Sequence, residues 1–239
     1  MMTAKMMVAG MHPVAAVILG VLLGAALGLI NGALVNVTGL HSFIITLGTQ
    51  AIFRGATLIV SNSSAVFGFP ASFTKSISAS VLGIPVIAIV AIIVALILAF
   101  LTIKTKLGRN IYALGGNKES AWYSGINVKL HTLIVFIISG LCAGIAGIVL
   151  LGRVGSAEPA AATGFETYAI AAAIIGGTSF FGGKGKIHGV VVGGLIIGVI
   201  NYGMNILSLS STLQQVVMGA LIIGSVALDR FVGSKNTSK

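Results

Sequence analysis

The sequence predicts an all-α protein, a polytopic transmembrane helical bundle of about seven spans that folds as a single domain over residues 1–239. Three observations predict it. Hydrophobic residues make up 56% of the chain and charged residues only 8%, about a third of the charge that covers a soluble domain. Asp, Glu, Lys and Arg are absent from five runs, 6–53, 76–103, 130–152, 167–183 and 187–228, and a spanning helix needs roughly 20 apolar residues. The basic residues behind the net charge of +10 fall between those runs and do not cluster with aromatics. That is the pattern of membrane orientation, and it excludes a nucleic-acid surface.

The elements follow in order. The run 6–53 starts two spans, 13–36 and 42–60, because the polar break "NVTGLHS" (36–42) divides it. The third and fourth spans are 81–102 and 131–151. The fifth, 166–181, is short, and a re-entrant segment buried against protein is its alternative. "NYGMNILSLSS" (201–211) separates the sixth, 187–205, from the seventh, 213–229. "MMTAKMMVAG" is too weakly basic for a cleavable signal peptide. Cys142 sits in an apolar run with no second cysteine to pair with. His12, His41, His131 and His188 stand at span ends without metal-ligand spacing. No paired carboxylates or nucleophile triads occur, so the pattern does not read as an enzyme, and it calls for no cofactor.

Positive charge marks the cytoplasmic side. Lys104, Lys106, Arg109, Lys118 and Lys129 against one Glu119 place the 104–129 loop inside. Alternation puts 153–166 outside, and Lys184, Lys186 and the tail 230–239 inside, so that ten of fourteen basic residues face the cytoplasm. The first span then begins outside, behind only Lys5. That start leads to the expectation that an odd number of spans once preceded Met1. A repeat supports it: "GAALGLIN" (24–31) matches "GLIIGVIN" (194–201) as Gly-x3-Gly-x-Ile-Asn. In this topology the two copies run in opposite directions, the signature of inverted repeats. Ordinary small-residue packing grooves are the alternative.

"GGTSFFGGKGK" (176–186) surrounds a lysine with glycines, as phosphate-binding loops do. Such a loop needs Gly-x4-Gly-Lys-Ser/Thr. Here Thr178 stands at the first glycine position and Gly185 replaces the hydroxyl residue. The stretch reads instead as a tight cytoplasmic turn between spans five and six, formed by Gly176, Gly177, Thr178, Ser179, Gly182, Gly183, Lys184 and Gly185.

That stretch and the apolar sequence around it (170–229), together with "GRNIYALGGNKESAWYSGINV" (108–128) and "FIITLGTQAIFRG" (43–55), resemble the ABC-transporter permease family for ribose, xylose, arabinose and galactose, most closely its ribose-type members. The resemblance covers essentially the whole chain and implies the inverted-repeat permease fold of the cobalamin-type importers, with the first spans missing. A Gly-Gly-Ile-Asp-Leu-Ser-Val-Gly-type block of the family lies ahead of the region this chain begins with. In "GFETYAIAA" (164–172), Tyr168 stands where many relatives carry an acid.

The resemblance implies a monosaccharide importer subunit in the bacterial inner membrane, and the charge distribution puts its N-terminus outside as numbered and its C-terminus in the cytoplasm. Its implied partners are an ATPase subunit, a periplasmic or lipid-anchored sugar-binding protein, a second permease subunit and membrane lipid. Two other readings are a transport-incompetent remnant and a secondary transporter. The spans lack the Asp or Glu suited to proton coupling, which weighs against the latter.

Within 103–130, the expected coupling loop, "GGNKESAWYSGI" reads as a short helix, 118–124, capped by Asn117 and closed by Gly125. With the resemblance, Gly115, Gly116, Asn117, Glu119, Trp122, Ser124, Gly125 and Ile126 become the ATPase-coupling segment, anchored by Trp122 and Tyr123. A solvated loop with Trp122 at the lipid headgroups is the alternative. Asn31, Thr46, Gln50, Asn201, Asn205, Gln214 and Gln215 are uncharged polar residues in or beside spans, suited to exchanging hydrogen bonds with sugar hydroxyls. For any one of them, a bond between helices is the alternative. Arg54, inside a span, reads either as a pathway charge or as a side chain snorkelling to the interface. Arg153, Glu158 and Glu166 charge the outer loop, where the family receives its binding protein.

Overall fold

The computed structural model describes residues 1–180 and 182–237, with side chains at 211 and 228–237 left aside. Phe181, at the end of the expected fifth span, and Lys239, in the expected tail, lie outside the described residues. The chain is mostly helical, in eleven helices and one two-stranded hairpin among the described residues. It divides into two compact units, Met1–Val94 with Asn127–Ala161, and Ala95–Ile126 with Ala162–Lys239.

The first unit is built on α2 (Pro13–Thr38) and α8 (Val128–Val154). Both are largely apolar, long enough to cross a bilayer, and start at a side-chain cap. His12 Nδ1 accepts the Val14 N–H at 3.4 Å, and Asn127 Oδ1 accepts the Leu130 N–H at 3.0 Å. The two helices run antiparallel, tied where α2 ends and α8 begins by Asn36 Nδ2 donating to the Lys129 carbonyl at 2.8 Å. Their backbones meet through glycine: a Cβ at Gly24 would lie 2.5 Å from the Gly140 carbonyl oxygen, and one at Gly144 would lie 3.1 Å from Val21 Cα. In a membrane, such close approach supplies the dispersion contact that the hydrophobic effect does not. Helix α3 (Ser42–Ser61) starts at His41, whose Nδ1 accepts the Phe43 N–H at 3.3 Å.

One end of this unit carries a cap. Helices α1 (Met2–Val8) and α4 (Ala71–Ser78) flank a cluster of Ala4, Met7, Ala16, Phe69, Phe73, Ile148, Leu151 and Ala157. Val66 and Ala157 exchange backbone hydrogen bonds of 2.9 and 3.0 Å. The expected third span begins later than residue 81. Residues Ser80–Val81 (β1) and Ile84–Pro85 (β2) form a hairpin whose corner, Leu82–Gly83, has φ of 52° and 79°. Two consecutive positive φ values make the primed two-residue turn that matches strand twist. Helix α5 (Val86–Lys104) starts only after it.

The second unit holds α6 (Lys106–Gly116), α7 (Lys118–Tyr123), α9 (Phe165–Ile175), α10 (Ile187–Ile206) and α11 (Ser211–Thr237). Its core is Ala171, Ala172, Ile197, Met204 and Met218, with Tyr168 packed against it. The 104–129 segment, expected as a loop around one short helix, is helical over most of its length. The expected tail is helical as far as Thr237.

The expected fifth span is shorter than 166–181. Gly177 N–H donates to the Ile174 carbonyl and Thr178 N–H to the Ala173 carbonyl, with Gly177 at φ 83°. That bonding pair terminates a helix. The 11 residues of α9 are about 16 Å long, half the roughly 30 Å of a hydrocarbon core. Among the described residues, five helices are long and apolar enough to cross a membrane, α2, α3, α5, α8 and α10, while α9 and the 212–227 stretch of α11 are shorter apolar segments.

Candidate functional site

Helix α6 starts at Thr105, whose Oγ1 accepts the Gly108 N–H at 3.2 Å. It stops at Asn117, where the backbone turns extended at φ −155°, ψ 111°. The same Asn117 starts α7, its Oδ1 accepting the Ser120 N–H at 2.9 Å. Glu119 lies in the first turn of α7, where a carboxylate complements the helix dipole. Gly125 N–H bonds to the Trp122 carbonyl and Ile126 N–H to the Ala121 carbonyl, with Gly125 at φ 80°. Asn117, Gly125 and Ile126 therefore fix this short helix at both ends, and Ser124 Oγ donates back to the Ser120 carbonyl at 2.8 Å. Ala121 is buried, while Trp122 and Tyr123 are 62% and 80% exposed. Their rings pack edge to face at 4.9 Å.

The glycine-rich turn packs on this segment. Ser179 N–H donates to the Lys184 carbonyl at 3.0 Å and Gly182 N–H to the Ser179 carbonyl at 3.2 Å, closing the turn on itself. Gly182 and Gly183, at φ 92° and 72°, lie against Gly115 and Gly116 of α6. A Cβ at Gly115 would come 2.7 Å from Gly183 N, and one at Gly183 would come 2.7 Å from Gly116 Cα. No side chain fits there. Tyr112, one turn ahead of Gly115 and Gly116 on α6, donates its hydroxyl proton to the Gly185 carbonyl at 2.9 Å. Gly185 also faces the Thr178 side chain, where a Cβ would come 2.9 Å from Oγ1. Two motifs about 65 residues apart in sequence thus form one backbone-to-backbone clasp. Sequence reasoning missed α6 and Tyr112; the i, i+3, i+4 spacing of Tyr112, Gly115 and Gly116 was the signal available.

The polar residues singled out as pathway candidates separate into two sets. In the first unit, Asn31 and Thr46 line one cavity of about 460 Å³ between α2, α3 and α8. Thr3, Phe53, Thr57, Phe136 and Ser139 complete its polar and aromatic lining. Thr46 and Thr57 spend their hydroxyl protons on carbonyls of their own helix, at 3.0 Å to Ser42 and 2.8 Å to Phe53. They face the cavity as acceptors. Asn31 Oδ1 is enclosed and accepts no hydrogen bond, which leaves about 1–3 kcal/mol of desolvation uncompensated. Thr46 and Thr57 thus offer acceptor oxygens to the cavity, beside the Thr3 and Ser139 side chains. Gln50 lies on the exposed side of α3. Arg54 is half-buried and donates through Nη1 to the carbonyls of Pro159 and Ala161, at 2.6 and 3.3 Å. The guanidinium thus ties α3 to the segment after α8, in which Glu158 is exposed, as is Arg153 in the last turn of α8.

In the second unit, Asn205 Nδ2 donates to the Asn201 carbonyl at 2.9 Å. Gln214 Nε2 donates to Asn205 Oδ1 at 3.2 Å and to the Leu209 carbonyl at 3.0 Å. The Asn205 and Gln214 side chains and the Asn201 carbonyl form a bonded chain across the α10–α11 turn, with Gln215 exposed beside it. Tyr168 packs edge to face on Phe165 at 6.0 Å and against the apolar core of the unit, a setting that suits its ring better than a carboxylate. Three of the histidines have structural partners: His12 and His41 cap helices, and His131 bonds through Nδ1 to the Asn127 carbonyl at 2.8 Å. No group of His, Cys, Asp and Glu able to hold a metal occurs among the described residues.

A family model described as branched-chain amino acid transport system / permease component matches residues 1–226. The chain is 66% identical over 233 residues to the D-allose transport system permease protein AlsC of Escherichia coli (strain K12), which covers 97% of this chain and 72% of that protein. It is 42% identical over 231 residues to the ribose import permease protein RbsC of Bacillus subtilis (strain 168), covering 96% and 72%. To the galactose/methyl galactoside import permease protein MglC of Escherichia coli (strain K12) it is 38% identical over 225 residues, covering 91% and 67%. The likeness to the D-allose protein thus exceeds that to this ribose protein, which shifts the ribose-type emphasis of the sequence reading. No solved structure matches the chain. These are transport proteins rather than enzymes, and the five long apolar helices make this chain a multi-pass membrane protein. On a match that runs from its first residue to within the last helix, the chain belongs to the family of transport-system permease components.

Proposed function

We propose that the chain is the permease subunit of an ATP-binding-cassette importer for a monosaccharide, coupled to a separate ATPase and fed by a sugar-binding protein. The observation that carries this is the identity of 66%, 42% and 38% to permeases named for D-allose, ribose and galactose, three sugars of one chemical class. The geometry supports it in two places. The uncharged polar cavity lined by Asn31, Thr46 and Thr57 suits a neutral ligand bearing hydroxyls. The rigid α7, with its exposed Trp122 and Tyr123, suits insertion into a groove on the ATPase.

In this reading Gly115, Gly116, Asn117, Glu119, Trp122, Ser124, Gly125 and Ile126 form the coupling segment. Asn31, Thr46 and Gln50 line or border the pathway in the first unit, as Asn201, Asn205 and Gln214 do in the second. Arg54 braces the outer end. The protein sits in the inner membrane with 103–130 and the C-terminus cytoplasmic, pairs with a second permease subunit, and has the inverted-repeat fold of the cobalamin-type importers. The seven-span count includes α9 and the apolar 212–227 stretch of α11.

Reconstitution into proteoliposomes with the ATPase and binding protein, and a sugar panel headed by D-allose, tests it. ATP-dependent accumulation is expected; accumulation that ignores ATP and collapses with an ion gradient would make it a secondary transporter. Orientation is tested by cysteine labelling in a Cys142→Ala background. Ser63→Cys, exposed just beyond α3, should react with an impermeant reagent from outside, and Ser120→Cys only from inside. The reverse pattern overturns the orientation.

A further inference from the structure

We infer that the 176–186 turn transmits the motion of α6 and α7 to α9 and α10, with Tyr112 as the positioning residue that keeps the turn engaged. This rests on the coupling role proposed above and says where the motion goes next. The turn is locked on three sides. Toward α6, Gly182 and Gly183 meet Gly115 and Gly116 backbone to backbone, and the Tyr112 hydroxyl holds the Gly185 carbonyl at 2.9 Å. Within itself, the Ser179–Lys184 bond of 3.0 Å closes it.

At its two ends the turn continues into helices that are themselves in glycine contact. A Cβ at Gly176 would lie 2.5 Å from the Gly189 carbonyl carbon, and one at Gly193 would overlap the Ala172 carbonyl. Packed backbones move as bodies and do not deform continuously. A displacement of α6 therefore pulls the turn, and the turn pulls the paired ends of α9 and α10. Asn201 and Asn205 lie further along α10, so the polar chain with Gln214 shifts with it.

The test uses Tyr112→Phe, which keeps the ring and removes one hydrogen bond, and Gly183→Ala, which adds a Cβ where φ is 72° and Gly116 Cα is 2.7 Å away. In proteoliposomes with the ATPase and binding protein, ATPase recovery and ATP hydrolysis should stay within about twofold of wild type. Sugar moved per ATP should fall at least threefold for Tyr112→Phe and further for Gly183→Ala. Hydrolysis and uptake falling in proportion, or neither changing, overturns the inference. Hydrogen–deuterium exchange of the purified chain reads the clasp without any transport. Tyr112→Phe should speed exchange of amides 179–185 together with the first turn of α10, and exchange confined to α6 counts against it. Wild-type protein without ATP-dependent uptake defeats the proposed function, while the exchange result still decides the clasp.

Discussion

Helices α2 and α10 carry the same pattern, Gly-x3-Gly-x-Ile-Asn, at 24–31 and 194–201, in different surroundings. In α2 a Cβ at Gly24 or Gly28 would run into the backbone of α8, at the Gly140 and Phe136 carbonyls. In α10 a Cβ at Gly194 or Gly198 would meet nothing within 4 Å, and the crossing with α9 is made instead by Gly189 and Gly193. Gly189-x3-Gly193 is a second small-residue pair whose phase differs by one residue from Gly194-x3-Gly198. One residue is about 100° around an α-helix, so two pairs with identical spacing face different directions. The asparagines differ too. Asn31 Oδ1 is enclosed in a cavity without a partner, whereas Asn201 and Asn205 join a hydrogen-bonded chain. A small-residue spacing therefore says that a helix has a face for close approach, and only the partner helix says which glycines use it.

The largest way to break this comparison is steric. Gly28→Leu and Gly193→Leu should each destabilise the protein in detergent by about 3 kcal/mol or abolish its folding, because the new side chain meets carbonyl backbone that has no room to yield. Thermal unfolding followed by circular dichroism reads this, and wild-type melting for Gly28→Leu would refute the α2–α8 packing described here.

Next in size is Asn31→Leu. Replacing an unsatisfied buried amide with an apolar group should leave stability unchanged or raise it by about 1 kcal/mol, while uptake drops roughly tenfold if a sugar hydroxyl bonds Oδ1 there. Lower stability with unchanged uptake would make Asn31 a structural residue. Asn201→Leu, by contrast, leaves in place the Asn201 carbonyl that Asn205 uses, and it should change uptake less than Asn31→Leu does. Equal losses would erase the distinction between the two asparagines. The smallest effect belongs to Gly198→Ala, which should stabilise the chain by about 0.4–1 kcal/mol by restricting the unfolded state. A clear destabilisation would mean that another chain packs against that face.

Helix existence was legible wherever a charge-free run exceeded the bilayer length, because burial of an all-apolar helix in lipid does not depend on its neighbours. Boundaries were less so. The third span starts at Val86 because Leu82 and Gly83 turn a hairpin, and the fifth ends at Ile175 because Gly177 closes it. Hydropathy does not register a change in φ. The α7 caps, Asn117 and Gly125, were legible since capping is a local bond between residues three or four apart. Helix α6 was legible in principle, since Leu107, Ile111 and Leu114 recur at i, i+4 and i+7, but its packing was not, because that comes from the distant turn.

The sequence by itself determined that this chain lives in a membrane, where most of its helices lie, and which family it resembles, since all three depend on composition and local order. Tertiary structure alone decided which glycines touch, that Asn31 and Thr46 share a cavity while Asn205 and Gln214 share a bond, and that Gly115 and Gly183 meet. Those are distances between residues far apart in the chain, and they are set by which backbones can approach once side chains are out of the way.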